Sequence, residues 1–263
     1  MKKVFFCNSG AESNECSIKA ARKYSHDKYG EGRNVIVTLV NSFHGRTVTT
    51  LSATGQDVFH QHFFPFTEGF IHTPANDIDA ALKVLANPAV CAIMMEPIQG
   101  EGGVMPLDKK FVQAVTKYAH EHDQLVLIDE VQTGNGRTGS LYAYEQFGIE
   151  PDIVSTAKGL AGGLPMGATL FNEKTQYVLT AGAHATTFGG NPICAAAGCT
   201  IIERLTPEFL ATVKAKGDYV KYALEGKTGV VGVSGMGLMI GIETTVDPKK
   251  VIAKCLEKGV VCL

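Results

Sequence analysis

The sequence predicts an α/β fold: a mostly parallel β-sheet with helices on both faces. Two patterns and one composition figure predict it. Short apolar runs without polar alternation recur as far as Phe171, and strands of that kind are buried on both faces. Between them lie stretches whose apolar residues repeat every three or four positions, the mark of a helix with one buried side. Strands alternating with such helices build a parallel sheet, because parallel neighbours need a crossover. The 29 glycines among 263 residues supply tight strand–helix turns.

Val4 to Cys7 is a short strand that runs into Asn8-Ser9-Gly10-Ala11-Glu12, after which Ile18, Ala21 and Tyr24 keep one helical face. Such a turn is either an ordinary βα connection or an anion site, since free backbone N–H groups and the helix dipole point at one place. Val35 to Val40 is a second buried strand and feeds Phe43-His44-Gly45-Arg46-Thr47. That turn is equally a solvated surface turn or a cover for a planar ligand with an arginine for its carboxylate. Gly69-Phe70-Ile71 is a further strand, and Asn76-Asp77 caps a helix through Leu85. Val90 to Met95 is a strand ending in Glu96-Pro97-Ile98-Gln99-Gly100-Glu101-Gly102-Gly103. Asp108 then caps a helix carrying Phe111, Val112, Val115, Tyr118 and Ala119 on its inner side.

After the strands Leu125 to Ile128 and Ile153 to Thr156, Met166 to Phe171 reads as another, and His184 to Pro192 as a polar loop. A small-residue helix from Ile193 to Leu205 breaks at Thr206-Pro207, and the character of the chain changes. A lysine-rich helix (Leu210 to Leu224), one glycine-rich strand (Val230 to Ile242) and a last helix (Pro248 to Lys258) lead into Val260-Val261, read as the opening of a strand. Residues 1–199 are therefore expected to form a large domain and residues 200–263 the start of a smaller α+β domain.

The formal net charge of -2 gives no reason to expect a nucleic-acid or acidic-membrane partner. No apolar run approaches the roughly 20 residues that span a bilayer, and the apolar part of the first seven residues is too short for a signal peptide. Seven scattered cysteines without a Cys-x-x-Cys pair suggest reduced thiols in a cytoplasmic protein, with neither a disulfide framework nor a metal site.

The chemistry concentrates between Leu125 and Lys158. Leu125-Val126-Leu127-Ile128 ends in Asp129-Glu130, and Ile153-Val154-Ser155-Thr156 delivers Ala157-Lys158-Gly159. As neighbouring parallel strands they would place an acid and a lysine at their carboxyl ends, where open α/β sheets bind ligands. That pair suits an aldehyde-bearing cofactor with a ring nitrogen: the lysine holds the aldehyde and the acid holds the nitrogen protonated. A rival is Gly134-x-Gly136-x-x-Gly139, which fits a dinucleotide fingerprint. Against it, Asp129-Glu130 would set negative charge beside a pyrophosphate, and Lys158 stands where a ribose-binding acid is expected.

Six motifs in this order resemble the class III aminotransferases, across essentially the whole chain. They are Asn8-Ser9-Gly10-Ala11-Glu12, Phe43-His44-Gly45-Arg46-Thr47, Glu96 to Gly103, Leu127 to Gly134, Ala157-Lys158-Gly159, and Thr186-Thr187-Phe188-Gly189-Gly190-Asn191-Pro192. The resemblance implies the large domain of fold type I pyridoxal-phosphate-dependent transferases, with pyridoxal 5'-phosphate as cofactor. It implies Lys158 as the covalent anchor, Asp129 as the partner of the pyridine nitrogen, and Gln132 near the phenolic oxygen. Gly10 and Ala11 match the phosphate grip and Phe43 the ring stacked on the cofactor; Val131 and Glu130 beside Asp129 are assigned to cofactor binding as well, with a solvated or hydrogen-bonded neighbour of Asp129 as the alternative for Glu130. Arg46 matches the receiver of a substrate carboxylate. Glu101 matches an acid that gates the arginine for the substrate's α-carboxylate, Thr186 a substrate contact, and Thr187 a hydroxyl that reaches the phosphate across a homodimer with shared active sites; Glu96 reads equally as a structural strand-end acid or as a substrate contact.

The implied reaction moves the terminal amino group of N-acetylornithine to 2-oxoglutarate. Ornithine, succinylornithine and 4-aminobutyrate are alternative donors, and a non-catalytic cofactor-binding fragment is the alternative of another kind. Relatives carry further residues before the first strand and after the equivalent of Leu263, including a C-terminal arginine for the substrate carboxylate. Ser234 stands where many have arginine.

Overall fold

The computed structural model describes residues 1–263. Its strands are β1 (Lys3–Cys7), β2 (Val35–Leu39), β3 (Phe70–Thr73), β4 (Val90–Met95), β5 (Ile98–Gln99), β6 (Met105–Pro106), β7 (Leu125–Asp129), β8 (Ile153–Thr156), β9 (Gly167–Phe171), β10 (Val230–Met236) and β11 (Met239–Thr244). Its helices are α1 (Gly10–Tyr29), α2 (Val48–Ala53), α3 (Ile78–Leu85), α4 (Lys109–Glu121), α5 (Tyr144–Phe147), α6 (Pro192–Arg204), α7 (Pro207–Leu224) and α8 (Pro248–Glu257). Seven strands form one sheet in the order β1-β9-β8-β7-β4-β2-β3. From β8 to β3 every pairing is parallel, while β9 is antiparallel to both β8 and β1.

The side-chain period of two divides each buried strand between two cores. Val37, Ile93, Met95, Val126, Ile128 and Val154 face α3, α4 and α5, where Leu85, Phe111 and Phe147 meet them. Ile36, Ala92, Met94, Leu127 and Ile153 face α1, which presents the small residues Cys16, Ala20 and Ala21. Phe111 is 1% exposed, so truncation to alanine would cost about 3–5 kcal/mol. All seven cysteines are free, four of them buried, and no helix is long and apolar enough to cross a membrane.

Three expectations are corrected. The glycine-rich segment from Val230 is a hairpin, β10 antiparallel to β11: Gly237 takes φ +53° and reverses the chain. Val260-Val261 follow α8 without forming a strand. Asp108 occupies the N-cap of α4, but its side chain makes no capping hydrogen bond; Asp77, by contrast, caps α3 through the Ala80 amide. Helix α6 runs unbroken through position 199, so the chain's change of character at Thr206-Pro207 coincides with the α6–α7 break.

Candidate active site

The parallel register places Met95 beside Ile128 and Asp129 beside Ser155. Glu96, Asp129 and Lys158 thus emerge from the carboxyl ends of the adjacent strands β4, β7 and β8. Helix α1 starts at the same edge. It is held there because its small polar face approaches the sheet closely: Ser17 Oγ and Ser155 Oγ are 2.6 Å apart, and Thr169 Oγ1 donates to Ser13 O at 2.9 Å. Ser9 caps the helix by accepting the Glu12 amide at 3.3 Å, and Glu12 returns a bond to the Asn8 amide at 2.6 Å. The Gly10 and Ala11 N–H groups lie outside the helical ladder and are free to bind an anion. Gly10 cannot carry a side chain without displacement, since a Cβ would sit 2.6 Å from Val131 Cγ1.

A cavity of about 240 Å³ opens here, lined by Gly10, Ala11, Asn14, Phe43, His44, Gly45, Arg46, Glu96, Asp129, Val131, Gln132 and Lys158. Val131, Gln132 and Lys158 also line a neighbouring cavity of about 290 Å³ that reaches Arg137 and, from α7, Phe209 and Val213. Asp129 is 3% exposed. Its Oδ2 accepts Asn14 Nδ2 at 2.7 Å and His44 Nδ1 at 2.8 Å, and its Oδ1 accepts the Val131 amide at 3.0 Å. No lysine or arginine pairs with it, so its charge remains available to a cationic ligand atom. Phe43 forms one wall, its ring edge-on to Phe59 at 5.5 Å, with the Arg46 guanidinium 4.9 Å from the Phe59 centroid.

Lys158 is exposed to the cavity and takes φ +45°, a left-handed backbone uncommon for a residue with a side chain. Such outliers concentrate at functional sites.

The structure gathers Gly10, Ala11, Phe43, Arg46, Glu96, Asp129, Val131, Gln132 and Lys158 around this space. Glu130 is a correction: it does not line the cavity. The strand pleat turns it to the opposite face from Asp129, where it accepts Thr133 Oγ1 at 2.5 Å and the Tyr144 amide at 2.7 Å. Burial pushes its carboxyl up to about 7. Glu96 lines the cavity with its oxygens already engaged, accepting the Phe43 amide at 2.8 Å and, more weakly, Gly100 N at 3.5 Å. Burial first, then the charge of Asp129, hold its carboxyl well above the ordinary range. Glu101 is exposed outside the cavity and meets Gln132 Nε2 at 3.4 Å. Thr186 accepts Asn8 Nδ2 at 3.1 Å, and Thr187 is exposed on the following loop; neither lines the cavity.

Two residues were not singled out from sequence as partners of the acid. Asn14 is one, and its signal is a polar side chain four residues after Gly10 on the small-residue face of α1. His44 is the other; its place in the motif gave no hint that Asp129 was its target.

The rival glycine pattern is settled by local structure. Residues 131–139 form turns and open no helix, and Gly136 and Gly139 pack under Leu205, Leu210 and Lys214. A dinucleotide site needs a helix N-terminus there.

The site unites a backbone anion grip, a flat aromatic wall, a buried carboxylate and a free lysine, which together suit a planar ligand with a phosphate and a cationic ring nitrogen. The family description "Aminotransferase class-III" matches residues 1–263, and the chain belongs to that family. It is 53% identical over 265 residues to the acetylornithine aminotransferase of Haemophilus ducreyi, covering 100% of this chain and 67% of that protein. It is 49% identical over 263 residues to the acetylornithine aminotransferase of Caldanaerobacter subterraneus subsp. tengcongensis, covering 98% of this chain and 66% of the relative. Among solved structures, the Toxoplasma gondii ornithine aminotransferase, described with partial occupancy of PLP at its active site, superposes with a TM-score of 0.93 at 31% identity, covering 100% of this chain and 64% of that one. The chain spans about two thirds of the length of the relatives it matches.

Proposed function

We propose that this chain carries the cofactor site of a pyridoxal-phosphate-dependent aminotransferase that takes the terminal amino group of N-acetylornithine and passes it to 2-oxoglutarate. The observation that carries the reading is the pair Asp129 and Lys158, at the carboxyl ends of the neighbouring parallel strands β7 and β8, facing one cavity with the start of α1. The acetylornithine donor is supported by the two relatives at about half identity.

When bound, pyridoxal phosphate supplies a covalent attachment point for an amine and an electron sink that acidifies the adjoining C–H bond. The Gly10 and Ala11 N–H groups would hold its phosphate, Phe43 its ring face, Val131 its other flank and Gln132 its phenolic oxygen. Asp129 would keep a proton at the ring nitrogen through a charge-assisted hydrogen bond. The Nζ of Lys158 would anchor the aldehyde and, once the substrate amine replaces it, carry the proton from the substrate Cα. General acid–base transfer of this kind contributes about 10² to 10⁴ in rate. Arg46 would receive a substrate carboxylate. Thr186 and Thr187, on the exposed loop before α6, would serve the neighbouring subunit of a homodimer.

Residues 1–199 and 200–263 are proposed as the large domain and the start of the small one.

The test is the near-ultraviolet and visible spectrum of the purified chain with pyridoxal phosphate, before and after borohydride. A visible band that borohydride fixes onto Lys158, and that N-acetylornithine discharges faster than ornithine, succinylornithine or 4-aminobutyrate, is expected. A folded chain without the band would leave the non-catalytic fragment standing.

A further inference from the structure

Arg46 lines the cavity from an exposed turn and enters none of the chain's ion pairs. A guanidinium on such a turn would ordinarily sample many rotamers, and gripping a carboxylate with two N–H groups would cost that freedom. Here two aromatic rings restrain it. Its Cζ lies 4.9 Å from the Phe59 centroid and 5.9 Å from that of Phe43, both within the range of a cation–π contact. The rings meet edge to face at 67° with centroids 5.5 Å apart, so the guanidinium occupies the corner between them. Phe43 is the farther ring, and it also lines the cavity. Phe59 is half-buried and stands outside the lining, which leaves its ring to Arg46.

The local chain fixes the relation between the two rings. Phe59 ends a single 3₁₀ turn, Asp57–Phe59. Gln56, just before that turn, donates through Nε2 to Ser42 O at 3.1 Å and to Asn41 O at 3.3 Å. The Gly55 amide donates to Ser42 Oγ at 3.1 Å, and Gly55 O accepts the Asn41 amide at 2.8 Å. Glycine permits this approach, because a Cβ at position 55 would collide with Leu39 O. On the far side, His60 Nε2 lies 2.9 Å from Leu51 O. The residues leading into Phe43 and those leading into Phe59 are thus laced together, so the corner exists before any ligand arrives.

We propose that Phe59 is a positioning residue: it seats the Arg46 guanidinium at the cavity, so that amine donors bearing a carboxylate are taken in preference to amines without one. A side chain already seated loses less freedom on binding, and its N–H edge stays open to a carboxylate while a ring covers one side. The preference rests on the function proposed above. The seat does not, because it is a contact within the chain.

Arginine side-chain ¹H–¹⁵N NMR of the full chain without cofactor tests the seat. The Arg46 signal, assigned as the one lost in Arg46→Lys, is expected upfield of a solvated arginine through the Phe59 ring current. Phe59→Leu should return it to the solvated position, and Phe59→Tyr should keep it. With pyridoxal phosphate bound, the concentration of N-acetylornithine that half-discharges the visible band should rise about two- to fivefold in Phe59→Leu, the scale of one exposed cation–π contact. The limiting rate should change little, and Phe59→Tyr should match the parent. N-acetyl-1,4-diaminobutane, the same amine without the carboxylate, should act alike on the parent and on Phe59→Leu. An Arg46 signal unmoved by Phe59→Leu, or an equal loss for both donors, would overturn the inference. A parent without the band would sink the proposed function instead, and the NMR spectra would then decide the seat.

Discussion

An aspartate lies near each end of β7, Asp123 two residues before it and Asp129 as its last residue, and the two are treated in opposite ways. At the amino end, Asp123 is surrounded by cations and phenols: Lys28 at 2.7 Å, Lys174 at 2.8 Å, Tyr24 at 3.0 Å, and Tyr29. Desolvation opposes its charge, but hydrogen bonds from Lys174, Lys28 and the tyrosines outweigh that and hold its carboxyl well below the usual range. At the carboxyl end, Asp129 is more deeply buried yet meets only an amide, an imidazole and a backbone N–H. Asp123 has spent its charge on the fold, joining α1 to the loops before β7 and after β9. Asp129 has kept its charge for something that arrives from the cavity. An acid saturated by cations reads as architecture, and a buried acid without one reads as a site.

The widest separation between the two ends should come from Lys158→Ala. It is expected to abolish borohydride-fixable pyridoxal phosphate completely, by mass and by spectrum, in a chain that stays folded; retained fixation would remove the lysine from its role. Next, Asp129→Asn should keep the fixable attachment but slow transamination by on the order of 10² or more, as loss of a pre-oriented electrostatic partner does. Parent-like turnover, measured in steady state, would break the comparison at its carboxyl end.

Glu130, one residue further on, tests whether burial alone makes a site. Its folded value of about 7 lies above the ordinary 4.5, so its contribution to stability is whole below about 4.5 and is lost as pH rises toward about 7. Glu130→Gln should flatten that decline, by up to about 3 kcal/mol in urea titrations, without altering cofactor affinity. A change in affinity would return Glu130 to the site.

The smallest effect is assigned to Asp123→Asn. Partly exposed ion pairs are worth about 1 kcal/mol or less, a loss of roughly 2–4 °C in Tm, with unchanged pyridoxal phosphate binding. Because the folded value is depressed, the contribution of Asp123 is present at neutral pH. It fades in acid as pH falls through that low value, so parent and variant should converge there.

The alternating strands and helices were legible because the apolar runs Val90 to Met95 and Leu125 to Ile128 admit little but a doubly covered parallel sheet. The edge holding Asp129 and Lys158 followed from two strand ends and their adjacency. Less visible was anything set by side-chain direction across distant elements. Period two sends Glu130 away from Asp129 once the last strand residue is known, and sequence gave that end to within one position only. Asn14 and His44 lie 115 and 85 residues from Asp129, and no local pattern carries such a distance. The second strand of the β10–β11 hairpin was hidden because glycines at 232, 235, 237 and 241 weaken the apolar signal that would have marked a turn between two runs.

The left-handed backbone at Lys158 has an evolutionary consequence. Such a conformation costs a side-chain-bearing residue about 1–2 kcal/mol, and glycine or asparagine would relieve it. Drift under selection for foldedness alone would therefore replace this lysine readily. In any descendant that has lost its chemistry, position 158 should be among the first to change, and the change should make the protein more robust.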